Sequence, residues 1–256
     1  MSPALTEILF ALGLGERIVG VTTFCDWPPE ARRVAKIGGY VDPSVEAIVA
    51  LAPDLVFVSP AAGNRDAGLA IRRLGIPLEL VRCETLEEAY AAIEKTARLC
   101  GVEERGRELA GSIRRRIEAT AARTRKLTPV ATLFCVQLEP LIAVGAGTLP
   151  SQLLELAGGR NVVREERYPR IGIESVIEAA PDVIVVARMD VPGPADPARV
   201  LDYWKRWPTL PAVRNGRVRV VDATTALRAG PRVAEAVELM DRLLHAGPVG
   251  PAEERP

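Results

Sequence analysis

The chain has 256 residues, 48% of them hydrophobic and 26% charged, with 33 basic residues against 33 acidic ones. That length and apolar share can build one large α/β domain or two modest ones, each with enough core to fold without disulfide or metal staples. A formal charge of zero supplies no field to draw nucleic acid or an anionic membrane, and no apolar run reaches the roughly 18 residues that a bilayer-spanning helix needs.

In chain order, residues 3–12 read as a helix, with Leu5, Ile8, Leu9 and Leu12 on one face and Gly13 as its stop. Residues 17–21 read as a short strand, and 22–29 as a loop in which Trp27-Pro28-Pro29 forbids helix. Residues 45–58 carry apolar residues at helical spacing, a Pro53-Asp54 break and a β-branched run, so a helix feeds a strand buried on both faces. A loop of Ala, Gly and Asn at 59–66, a helix ending at Leu74 with Gly75 as its stop, and a strand at 77–81 follow. This alternation argues for a parallel, doubly wound sheet.

A helix at 86–100 is closed by Gly101, and a longer one runs from 103 to about 127. At 1.5 Å per residue the second spans roughly 36 Å, more than an ordinary crossover needs, and it reads as a rigid strut. Strands at 130–136 and 141–144, a helix at 150–156, a helix around 197–207, a strand at 218–221 and a last helix at 232–245 complete the pattern, before a frayed tail at 247–256. Within it, 173–186 repeats 45–58 at a distance of 128 positions. The expected fold is therefore α/β, with two doubly wound lobes built on parallel sheets and joined by one long rigid helix. The expected boundaries are 1–100, 101–127 and 128–256.

Catalytic constellations are missing. Cys25, Cys83, Cys100 and Cys135 form no CxxC pair, and the last two with Cys83 lie in or beside apolar segments, where a small buried hydrophobe is expected. Cys25 has no histidine near it in sequence to act as its base. The one histidine, His245, falls near the end of the last helix, where a solvent-facing position is expected. There is no nucleophile elbow, no phosphate-cradling loop and no dinucleotide fingerprint. Glu165-Glu166 lies among arginines and reads as solvated, as do the basic runs Arg72-Arg73 and Arg114-Arg115-Arg116 on helices. No catalytic residue, metal site or cofactor is expected. A binder needs none of these parts.

Ligands of open parallel sheets bind beyond the carboxyl ends of the strands. That rule collects Phe24, Trp27, Tyr40 and Tyr168, a large share of a chain that is only 4% aromatic, as candidates to stack on a flat ligand. Gln137 is a polar candidate in the same set, and Arg188 and Arg228 are cationic ones.

The run 3–13, Val19-Gly20-Val21-Thr22, Cys25-Asp26-Trp27-Pro28, Gly38-Gly39-Tyr40 and Pro53-Asp54-Leu55-Val56 resembles the start of the periplasmic binding proteins of ABC importers for cobalamin and ferric siderophores. Residues 210–218 and Gly230-Pro231-Arg232 continue the match, so that it covers nearly the whole chain. The resemblance implies two α/β lobes joined by one long helix, a ligand in a shallow cleft between them, little hinge motion, a monomer, and delivery to a permease. The Cys-Asp-Trp-Pro and Gly-Gly-Tyr loops place the cobalamin branch nearest. The family docks through one acidic residue on each lobe, which here implies Asp66 in the first and Asp190 or Asp196 in the second, and it implies an extracytoplasmic location. The chain as given opens without a signal segment, which taken literally would keep it in the cytoplasm.

Family members also carry a strand running into the Ser-Pro pair, whereas Ser2-Pro3 here follows Met1 directly. A first lobe lacking that strand should show unpaired backbone groups and a hydrophobic slot, and Met1 would then be an internal methionine; the codons before it test this. Three readings follow: a corrinoid-binding protein, the same module with a ferric siderophore or haem, and a cytoplasmic enzyme handling a tetrapyrrole.

Overall fold

The computed structural model describes residues 1–60, 62–188 and 196–246. It divides into two units, Met1–Ile113 with Ala229–Pro231, and Arg114–Arg228 with Arg232–Pro256. The main division falls within one helix.

Unit 1 contains α1 (Pro3–Ala11), α2 (Val45–Ala50), β1 (Val56–Val58), α3 (Arg65–Arg73), β2 (Leu78–Leu80) and α4 (Leu86–Leu99). Its sequence sets the helix starts. Pro3 sits in the first turn of α1, where its missing N–H is no loss, and the Ser44 and Thr85 hydroxyls accept from the backbone N–H groups of Ala47 (3.1 Å) and Glu88 (3.2 Å). β1 and β2 pair in parallel, Val56 opposite Leu78 and Val58 opposite Leu80. Ile37, Ile48, Val56, Val58, Ile71 and Met1 form the buried cluster around them.

The expected strand at 17–21 is not a strand. Gly15–Arg17 is a 3-10 turn, and only Val21 makes a bridge, to Lys36. A strand exists through its ladder, and these residues have no ladder partner. Arg17 to Gly20 line instead a cavity of about 640 Å³, with Ala52 to Phe57 among the other lining residues.

α5 (Glu103–Thr124) starts in unit 1 and ends in unit 2, slightly short of its expected end. Its apolar stripe, Ala110, Ile113, Ile117 and Ala121, is buried at helical spacing. Of the arginine run on this helix, Arg116 makes a bidentate pair with Glu238 at 2.9 and 2.8 Å.

Unit 2 contains β3 (Val130–Gln137), β4 (Ile142–Ala143), α6 (Leu149–Leu156), β5 (Gly159–Asn161), α7 (Ile173–Ala179), β6 (Val183–Val186), α8 (Pro197–Trp204), α9 (Pro211–Arg214), β7 (Val218–Val220), α10 (Ala223–Leu227) and α11 (Val233–His245). The strand order is β4-β3-β6-β7, with β5 also on β3. All pairs are parallel except the edge pair β3 and β4. Leu133, Cys135, Ile184 and Val186 face one core with Val200 and Trp204, while Phe134, Val183 and Val185 on the opposite face are also fully buried. Burial on both faces is what a doubly wound sheet requires.

The repeat extends to the backbone. Ala52 and Ala180, 128 positions apart, both adopt φ of 44°, a left-handed conformation that costs an L-residue roughly 1–2 kcal/mol. Each ends its helix just before a Pro-Asp pair. His245 departs from its expected solvent-facing position: its ring is only 21% exposed, its Nδ1 lies 3.0 Å from Asp241 Oδ1, and it packs against Gly158. Asp241 also pairs with Arg123 of α5, so this end of α11 is tied down by charge.

Candidate functional site

In unit 1 three loops, two before β1 and one after it, are hydrogen-bonded into one group. Cys25 is 1% exposed and is held at 3.2 Å by the Thr6 hydroxyl and at 3.1 Å by that of Thr22. With this residue anchored inward, its loop turns Phe24 (59% exposed) and Trp27 (44% exposed) outward. Thr23 N–H donates to Gly38 O at 2.9 Å, which ties that loop to the one carrying Tyr40. Asn64, itself buried, donates to Tyr40 O at 3.4 Å and to Ser59 O at 3.0 Å, which adds the loop after β1. Close approach fixes the glycines here. A Cβ on Gly39 would meet Asp42 Oδ1 at 1.9 Å, and one on Gly63 would meet Val41 O at 2.7 Å. Asp66 stands exposed in the first turn of α3, at the end of the same loop.

In unit 2 the candidates gather at strand ends. Gln137 ends β3, and its amide donates to Glu139 O at 3.0 Å. Tyr168, 47% exposed, lies on a strap at 165–170 that pairs with β4 and its continuation: Ala143 N–H donates to Pro169 O at 3.0 Å and Gly145 N–H to Arg167 O at 2.8 Å. A Cβ on Gly145 would meet Glu165 O at 2.1 Å, so no other residue lets the strap lie this close. Arg188 follows β6 and lines a concavity of about 450 Å³ with Glu139, Arg199, Tyr203 and Arg206. Arg206 lies over the Tyr203 ring at 4.2 Å and over Trp207 at 4.8 Å, and burial raises the Tyr203 phenol. Arg228 caps the end of α10. Asp196 is exposed but already caps α8, accepting from Ala198 N–H at 3.0 Å and pairing with Arg199 at 3.6 Å. Asp190 lies outside the described residues.

Sequence reasoning thus found the exposed aromatics and missed what holds them: Cys25 as an anchor, Asn64 as a tie, and the Tyr203–Arg206 wall. Only the last left a signal, an aromatic near the end of α8 with an arginine three residues further on. The thiols are poor nucleophiles where a shift is resolved: burial pushes Cys83 up to about 12, helped by Glu88 and Glu84, and pushes Cys135 up as well. Among the described residues no group of three or more His, Cys, Asp or Glu could hold a metal ion.

Exposed aromatics in loops, Phe24 and Trp27 in unit 1 and Tyr168 in unit 2, are the kind of side chain that small-molecule sites use. The chain belongs to the periplasmic binding protein family, whose model matches residues 1–225. It is 29% identical over 242 residues to the vitamin B12-binding protein of Vibrio cholerae, covering 93% of this chain and 85% of that one. Among solved structures it resembles the periplasmic haem-binding protein RhuT of Roseiflexus sp. RS-1 (TM-score 0.82, 29% identity, 95% of each chain). It also resembles the periplasmic vitamin B12-binding protein BtuF of Vibrio cholerae (TM-score 0.80, 29% identity, 95% of this chain and 94% of that one).

Proposed function

We propose that the chain is the extracytoplasmic binding protein of an ABC importer and takes a cobalamin-like corrinoid, which it hands to the permease without chemistry. The observation that carries this is the hydrogen-bonded loop group of unit 1, which presents Phe24, Trp27 and Tyr40 together. A flat, largely apolar macrocycle with polar side arms suits aromatic walls and a few amide or cationic contacts, and unit 2 contributes Gln137, Tyr168, Arg188 and Arg228. The likeness to vitamin B12-binding proteins supports the same ligand. Asp66 of unit 1 and Asp196 or Asp190 of unit 2 are the docking acids, which fix register on permease arginines. The protein works as a monomer.

An absorbance-monitored titration with cyanocobalamin tests this. Saturable one-to-one binding is expected, and Trp27→Ala and Tyr168→Ala should each weaken it by about tenfold or more, the equivalent of roughly 1.5 kcal/mol of stacking and buried area. Asp66→Arg should leave the titration unchanged and lower transport by the reconstituted importer. Absence of any cobalamin uptake removes this ligand. The second reading, haem or an iron chelate, is favoured by the arginines at 188, 199 and 206 around one concavity and by the likeness to a haem-binding protein. A Soret shift on haemin titration without cobalamin binding would select it.

A further inference from the structure

Among the described residues, three that are not glycine hold a left-handed backbone: Ala52, Ala180 and Arg167. The two alanines close helices before a Pro-Asp pair, whereas Arg167 ends no helix. Its φ of 65° lies in the strap at 165–170, one residue before the exposed Tyr168. A left-handed conformation is unfavourable for an L-residue, and it persists only where the surrounding structure holds it.

Here the holding bonds are local. Gly145 N–H donates to Arg167 O at 2.8 Å, and Arg167 N–H donates to Ala146 O at 3.0 Å, so the residue is fixed at both its N–H and its C=O. Two consecutive residues thus oppose a single one, as in a β-bulge, a feature that bends a chain and re-aims a side chain. On either side the strap is fastened again: Ala146 N–H donates to Glu165 O at 2.8 Å and Ala143 N–H to Pro169 O at 3.0 Å. Pro169 also has its φ set by its own ring. Tyr168 therefore stands between two anchored neighbours. Gly145 belongs to the same device, because a Cβ there would meet Arg167 O at 3.0 Å as well as Glu165 O, and would push the strap away.

We propose that Arg167 is a positioning residue for the ligand: its left-handed turn, locked by Gly145 and Ala146, sets the direction in which Tyr168 stands out from unit 2. The role rests on Tyr168 touching the ligand, as proposed above. It is carried by the backbone of Arg167 and not by its exposed side chain. A ring already held in its binding direction spares the ordering cost that association would otherwise incur, which is a reason for an unfavourable conformation to sit at this place in the chain.

Two substitutions remove the same guanidinium and differ in the backbone they tolerate. Glycine accepts a positive φ, whereas valine, branched at Cβ, does not. In titrations with cyanocobalamin and, in parallel, with haemin, Arg167→Val should bind about fivefold more weakly than Arg167→Gly, most of the loss that Tyr168→Ala causes. Gly145→Ala, which displaces the strap from the other side, should show a loss of similar size. In a chain that already carries Tyr168→Ala, exchanging glycine for valine at 167, or alanine for Gly145, should change affinity by less than about twofold, because no ring is left to position. A purely structural part would weaken binding equally in both backgrounds. Equal affinity of the glycine and valine forms, or a loss that persists without the Tyr168 ring, would overturn the proposal while leaving the ligand assignment in place. No uptake of either ligand by the unsubstituted chain would overturn both.

Discussion

Trp204→Ala should lower the free energy of unfolding by about 3–5 kcal/mol, a large part of the roughly 5–15 kcal/mol that holds a domain of this size. The indole is 0% exposed in the unit 2 core, beside Val186, Val200 and Leu210. It meets the Tyr203 ring edge-on at 5.2 Å and 81° and lies 5.8 Å from Trp207. Removing it opens a cavity under the helix that carries Arg199 and Tyr203, two walls of the concavity beside Arg188. Trp204→Phe should cost much less. The indole Nε1 is buried without a hydrogen-bond partner among the described residues, so phenylalanine forfeits volume but no bond, and it relieves an unsatisfied donor worth about 1–3 kcal/mol. Urea unfolding of both variants checks the pair: the alanine variant should lose most of its unfolding midpoint and the phenylalanine variant little. A difference below about 1 kcal/mol between them would mean that filling this volume in the core carries no weight.

The core of this fold was legible because its buried strands are β-branched runs, Val56-Phe57-Val58 and Val183-Ile184-Val185-Val186, bounded by Pro-Asp and repeated. What escaped reading was structure made by partners. Gly159-Arg160-Asn161 has no apolar signal and is a strand only because β3 lies beside it. The reverse holds at Ile18 to Val21, whose strand-like composition finds no ladder. α9 and α10 are too short for a periodic signal, and α10 exists through its cap, Asp222, whose carboxylate accepts from Thr224 N–H at 3.1 Å. Burial pushes that carboxyl up, but the bonds from Thr224 and Thr225 outweigh it and leave it below its ordinary range.

The candidate site divides the same way. Exposed aromatics in loops are visible in a sequence that has few of them, and Phe24 and Trp27 do stand exposed, although the loops that carry them follow no described strand. The ties that make those loops one surface are single long-range bonds, such as Asn64 to Tyr40 O, 24 positions apart. No local pattern encodes them. Asp196 shows the converse hazard: an acid chosen for docking in the sequence turns out also to be a helix cap, so its substitution would mix a binding effect with a folding one, whereas Asp66 caps nothing and gives the cleaner test.

The second large effect is a dependence of stability on pH set in unit 1, in the chain that carries Met1 as its first residue. Burial lowers the Met1 ammonium from 8.0 to about 6, against a smaller opposing influence from Cys25. Between those values the unfolded chain holds a proton that the folded chain has released, so stability must rise with pH through this window. Two pH units correspond to roughly 3 kcal/mol. The burden is carried in full below about pH 6, where folding must bury the charge, and is gone above about pH 8, where neither state holds it. Acetylation of the amine should flatten the curve, raising stability at pH 5 while leaving it nearly unchanged at pH 9. Urea midpoints from pH 5 to 9 for the free and acetylated chains decide the matter: parallel curves would show that the amine reaches water in the folded state.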